Sequence, residues 1–212
     1  FHVGGQRIEA EYTVLAAGAG NEELLAQAHR HDLAEQARMQ RRPLKMMLIR
    51  HNLPHRLYAH CLGQSSKPRL TVTTHDLPDG SLVWYLGGDL AERGADMDDD
   101  GLIEFTRAEL HRLLPWLDFR DADFVPVNVD RAEPRQQKLV KPDNAWAERH
   151  QRLIVTWPTK LTLAPDLGGR VETLLREGDS PAGHPQPEVP AGLPRARTGR
   201  PDWYRIFGAG ND

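Results

Sequence analysis

The chain has 212 residues, 39% of them hydrophobic, a formal charge of −3 and a single cysteine, Cys61. That is enough apolar material for one core or two small ones. No basic block suggests nucleic acid, no apolar run is long enough for a membrane span, and one cysteine excludes an internal disulfide framework and fits a reducing, cytoplasmic setting.

Taken in chain order, residues 6–17 read as a hairpin arm and then a strand. Val14-Leu15-Ala16-Ala17 is continuously apolar, as in a central parallel strand. The turn Gly18-Ala19-Gly20 permits close backbone approach because nothing projects from its glycines. Asn21 is expected to cap a helix that carries Glu22 and Glu23 in its first turn and fades by residue 31. Residues 44–50 form a strand. Leu70–Thr74 and Ser81–Leu86 are two β-prone runs joined by Pro78-Asp79-Gly80, an antiparallel hairpin. Alternation sends Trp84 and Tyr85 to opposite faces.

One of Asp98, Asp99 and Asp100 caps a helix whose apolar face is Leu102, Phe105, Leu110, Leu113 and Leu114, with Pro115 after its last turn. Val125, Val127 and Val129 alternate as a half-buried strand, followed by a charged loop, Asp130-Arg131-Ala132-Glu133-Pro134-Arg135. Leu153-Ile154-Val155 is a short apolar strand. It feeds Thr156–Leu163 and then a helix with Pro165 at its start and Leu167, Val171, Leu174 and Leu175 on one face. Gly178–Pro201, rich in Pro, Gly and Arg, is expected to lack regular structure. The apolar cluster Trp203–Phe207 at its end either docks back on the domain or contacts a partner.

The resulting fold class is α+β, with a mixed, mostly antiparallel sheet and helices on one side. His51, His55, His60 and Cys61 form no recognised ligand set, and the Asp96–Asp100 run lacks the pattern of a calcium loop, so no metal is expected.

Val14–Asn21 and Thr156–Pro165 together resemble the C-terminal part of FAD-dependent oxidoreductases of the D-amino-acid oxidase family, which also holds glycine and sarcosine oxidases and flavin-dependent glycerol-3-phosphate dehydrogenases. Arg42–Ile49 is similar to that family's Pro-Val-Arg-Gly-Gln strand, Asp79–Gly88 to its hairpin ending in Gly-Gly, and Leu113–Leu117 to its Leu-Pro-x-Leu. The motifs keep the family's order over about residues 6–177. Its initial Gly-x-Gly-x-x-Gly unit has no counterpart, since Gly18-Ala19-Gly20 lacks the third glycine. The resemblance therefore implies a fragment whose N-terminal FAD-binding half is missing, with the open sheet that this leaves prone to self-association.

In those terms residues 1–40 are a remnant of the FAD-binding domain and 41–148 the substrate domain. Residues 149–178 return to the FAD-binding domain, and 179–212 are a tail. The implied cofactor is FAD, approached by Ala17, Gly18, Ala19, Gly20, Thr159, Lys160, Leu161, Thr162 and Leu163. A cation and a helix N-terminus aimed at the ring's N1–C2=O edge would stabilise the reduced anion, with Lys160 as the cation. Arg131 or Glu133 would orient a small polar substrate, an amino acid, amine or hydroxy compound, with Lys45 and Tyr85 on the pocket-forming sheet. Aligned on Pro134, Glu133 occupies the position of the family's carboxylate-clamping arginine. The alternative is a non-catalytic module that binds a ligand or partner.

Overall fold

The structure, a computed structural model, describes residues 2–28, 39–64, 67–134, 145–157, 161–177 and 192–208. It is α+β and divides into two units: residues 1–42 with 131–197, and residues 43–130 with 198–212.

The first unit opens with a small antiparallel hairpin of β1 (His2–Val3) and β2 (Gln6–Arg7). A three-stranded sheet follows, built from β3 (Thr13–Leu15), β9 (Trp146–His150) and β10 (Leu153–Trp157) in the order β3-β10-β9. β3 runs parallel to β10 with Leu15 opposite Val155, and β9 runs antiparallel to β10 with Trp146 opposite Trp157. Leu15, Val155 and Trp157 form a core with Leu25 of α1 (Asn21–Gln27), flanked by Met39, Ala132, Trp146 and Leu153. The parallel pairing agrees with the sequence pattern. Among the described residues β3 has one neighbour, and Val14 is 40% exposed. β9, reading Trp-Ala-Glu-Arg-His, carries too little apolar alternation to be visible in sequence.

The second unit is built on a five-stranded sheet of order β5-β6-β7-β4-β8, from β4 (Met39–His51), β5 (Ala59–Leu62), β6 (Pro68–Asp76), β7 (Leu82–Gly87) and β8 (Asp123–Pro134). The predicted hairpin is β6–β7, antiparallel, with Thr74 opposite Trp84. Its turn is held by Asp79 Oδ1, which accepts from Ser81 N at 2.9 Å, and by Gly80 at φ +82°. β4 and β8 are longer than expected. The boundaries between the units fall inside them, at Arg42/Pro43 and Asp130/Arg131.

One face of this sheet presents Met47, Ile49, Leu70, Val72, Trp84 and Leu86 to α2 (Asp89–Gly94) and α3 (Asp99–Leu113), whose Leu90, Leu102 and Leu110 complete a core exposed to 1% or less. Asp98 caps α3 through Gly101 N at 2.8 Å. Arg69 and Glu109 tie the sheet to α3 by a two-pronged pair, at 2.9 and 2.6 Å. The other face carries Leu48, Val83 and Val127. It is covered by a short helix, α5 (Asp202–Phe207), from the predicted apolar cluster near the C-terminus.

His51 lies at the end of β4 in the first of these cores. Its Nδ1 accepts from Leu53 N at 3.1 Å, and its ring meets Trp84 edge-on at 4.7 Å. Burial pushes its pKa down to about 4. A depressed histidine adds stability above its unfolded value near 6.5 and loses it as pH falls toward 4.

Two substitutions test this packing. Leu102→Ala should lower the unfolding free energy by about 3 kcal/mol, because the cavity lies between sheet and helix, as read by denaturant titration. His51→Phe should flatten the loss of thermal stability between about pH 6.5 and pH 4, as read by melting curves across that range.

Candidate functional site

Because β3 and β10 are parallel neighbours, the chain leaves both at the same edge of the first unit's sheet. After Leu15 it makes the turn Gly18–Gly20 and enters α1. After Trp157 it passes residues 158–160, makes the turn Leu161–Leu163 and enters α4 (Ala164–Arg176), with Pro165 in its first turn. The carboxyl ends of parallel strands followed by helices are where open α/β sheets bind ligands.

One buried side chain joins the two exits. Asn21 is fully buried, and its Nδ2 donates to Leu15 O at 3.3 Å and to Thr156 O at 3.0 Å. Its Oδ1 accepts from Ala17 N at 2.8 Å. Thr156 Oγ1 adds a bond to Leu15 O at 2.9 Å. The expectation that Asn21 caps α1 is corrected here. The cap position belongs to Gly20, and the Asn21 amide reaches back to the strand ends instead.

The turn itself has open space beside it. Gly18 sits at φ +57°, a conformation L-residues avoid, and a Cβ there would meet nothing within 4 Å. Gly20 N closes on Ala17 O at 3.1 Å, and Ala17 N is taken by Asn21. Gly18 and Ala19 N–H find no acceptor among the described residues. These two donors lie in a turn with open space beside Gly18.

Thr159 and Lys160 lie outside the described residues. Leu161 is 90% exposed, Thr162 is exposed and Leu163 is half-buried. In the first turn of α4, Asp166 accepts from Ala145 N at 3.0 Å and from Arg170 at 3.1 Å, so the helix start already carries a carboxylate. An open groove of about 520 Å³ runs between α4 and Ala147 of β9, lined by Asp166, Arg170, Thr173 and Leu174.

Glu133 is not in a solvated loop, because β8 continues through Pro134 and leaves it 3% exposed. Gln40 Nε2 donates to its Oε1 at 2.8 Å, and Arg42 lies 3.1 Å from the same oxygen. Gln40 and Arg42 are two apart on β4 and so share a face, as Arg131 and Glu133 do on β8. Arg131 is half-buried with no ion pair among the described residues. No sequence signal singled out Gln40 or Arg42, because their importance depends on which strand lies beside β8.

In the second unit, Lys45 and Tyr85 occupy opposite sheet faces. Lys45 Nζ donates to Met97 O at 2.6 Å and to Asp99 at 3.1 Å, anchoring the start of α3. Tyr85 packs on the other face beside Trp203 of α5. Burial, with a smaller contribution from Asp202, pushes its hydroxyl pKa up.

No family model matches the sequence. Both its sequence and its fold are nevertheless similar to those of an FAD-dependent oxidoreductase. That relative is the probable FAD-dependent oxidoreductase PA4991 of Pseudomonas aeruginosa, 48% identical over 210 residues, covering 97% of this chain. The crystal structure of PA4991 superposes with a TM-score of 0.84 over 96% of the chain. The chain spans about half the length of this relative, 51% of its sequence and 55% of the chain in its crystal structure.

Asn21→Ala should cost about 2 kcal/mol by taking the amide partner from the Thr156 carbonyl and from Ala17 N, measured by chemical denaturation. Asn21→Asp places a carboxylate against two carbonyl oxygens. Its pKa is therefore raised in the folded state, and the variant should be markedly less stable at about pH 7 than at about pH 4. Equal stability at both would contradict the arrangement.

Proposed function

We propose that this chain is the substrate-domain and C-terminal portion of an FAD-dependent oxidoreductase that oxidises a C–N or C–O bond of a small polar substrate. The observation that carries the reading is the joined exit of β3 and β10, with its left-handed Gly18 and open space beside it, in a chain 48% identical to PA4991 along nearly its whole length. FAD, when bound, supplies the two-electron acceptor for hydride transfer.

The chain's own residues have the following roles. Gly18 and Ala19 offer backbone donors, and Asn21 holds their turn against β10. The segment from Thr159 to Leu163 would help to hold the flavin, with Lys160 supplying positive charge toward it. Arg131 orients the substrate. Glu133 acts through Arg42, whose guanidinium it fixes beside the same strand pair.

The first unit is then part of an FAD-binding domain, and residues 43–130 are the substrate domain. The remaining half of a PA4991-like protein covers the open edge of β3 and supplies the phosphate-binding unit. Exposed Val14, Leu24 and Leu161 all belong to the unit that this half would complete. Activity accordingly belongs to the complete protein, acting on an amino acid, amine or hydroxy compound.

Co-purification of the chain with a PA4991-like N-terminal half should yield a complex with bound flavin. Anaerobic addition of candidate substrates should bleach the flavin. Gly18→Val should cut flavin occupancy at least about tenfold while leaving the second unit's melting unchanged. A complex that forms and stays colourless when FAD is added refutes the proposal.

A further inference from the structure

We propose that α5 is a strap that opens and closes over the second face of the β4–β6–β7 sheet, with the stack of Trp203 on His75 as its catch. The strap's attachments are all of one kind. Trp203 lies over His75 with centroids 3.8 Å apart and planes 18° apart, and it tilts against Tyr85 at 5.9 Å. Phe207 lies beneath the Arg50 guanidinium at 5.2 Å, and Trp203, Ile206 and Phe207 rest on Leu48, Leu77, Val83 and Val127. Among the described residues, Asp202–Phe207 makes no hydrogen bond or ion pair to the sheet. Its polar bonds are internal: Arg205 to Asp202, and backbone bonds to Pro201 and Tyr204.

A helix of six residues does not hold together alone in water, so helix and docking form together and are lost together. Residues 193–200, which lead into it, carry no regular structure. The core beneath is closed independently on its other face by α2 and α3. Opening therefore releases one small element and uncovers a contiguous apolar strip that includes Tyr85, without unfolding the unit.

The catch responds to acid. The groups around the His75 ring are Thr73 Oγ1, 3.0 Å from Nε2, the Asp76 carboxylate that Arg56 pairs, and the Tyr85 ring. Trp203 faces it from α5, where Asp202 is paired with Arg205. Burial lowers the pKa of His75 below its ordinary 6.5, and Asp76 offsets only part of that. A histidine depressed in the closed form favours closure above 6.5 and loses that preference as pH falls below it.

The test uses the full 212-residue chain. Proteolytic cleavage within residues 198–208 is timed at about pH 7.5 and about pH 5 for the parent, Trp203→Ala and His75→Phe, beside melting curves. Trp203→Ala should be cut about tenfold faster at the higher pH while the core melts within a few degrees of the parent. The parent should be cut faster in acid, and His75→Phe, which keeps an aromatic partner without a titrating group, should lose that acceleration. Cleavage of Trp203→Ala at the parental rate would overturn the strap, as would loss of its cooperative melting. A parent indifferent to pH, or acceleration retained in His75→Phe, would overturn the catch.

Discussion

The first unit depends on two carbonyl oxygens, those of Leu15 and Thr156, at the ends of neighbouring parallel strands. Strand ends of this kind leave backbone acceptors facing inward where the ladder stops, and an unpaired buried carbonyl is costly. Asn21 satisfies both with one amide group and returns its own oxygen to Ala17 N, while the Thr156 hydroxyl reinforces Leu15. The turn Gly18–Gly20 and the exit of β10 are thereby held as one rigid edge, although 135 residues separate Asn21 from Thr156. Whatever meets this edge meets donors whose direction is already set, so less orientational freedom is lost on contact.

What could be read from the sequence was what local chemistry determines. Asp98 at the start of α3 and Asp79-Gly80 between β6 and β7 both act within three residues of themselves, and both appear as expected. The opposite orientation of Trp84 and Tyr85 follows from strand alternation alone, and the structure sends them to different cores. Elements that depend on distant partners were read incorrectly or missed. Asn21 has the composition of a cap, and only its position beside Thr156 makes it a brace. Glu133 sits in a run of charges that reads as solvated, yet Gln40 and Arg42 draw it into β8. β9 has the residues of a surface loop and becomes a strand because β10 offers it an edge.

The candidate site shares this split. The turn after β3 and the helix that begins beside Pro165 were legible because Gly and Pro announce their backbone roles. Arg42 was not, because an arginine's meaning depends on what lies across the sheet from it. Glu133 of β8 is paired with Arg42 of β4, and Arg131, two residues away on β8, is a further cation without an ion pair among the described residues.

That same triad of Gln40, Arg42 and Glu133 has an architectural consequence. It clasps the chain just before residue 43 to the chain just after residue 130, where the peptide departs for the second unit and comes back. Residues 43–130 thus run between two points already fastened together. The long intervening segment therefore starts and finishes at one fixed locus, so its own ordering need not bring those two ends together.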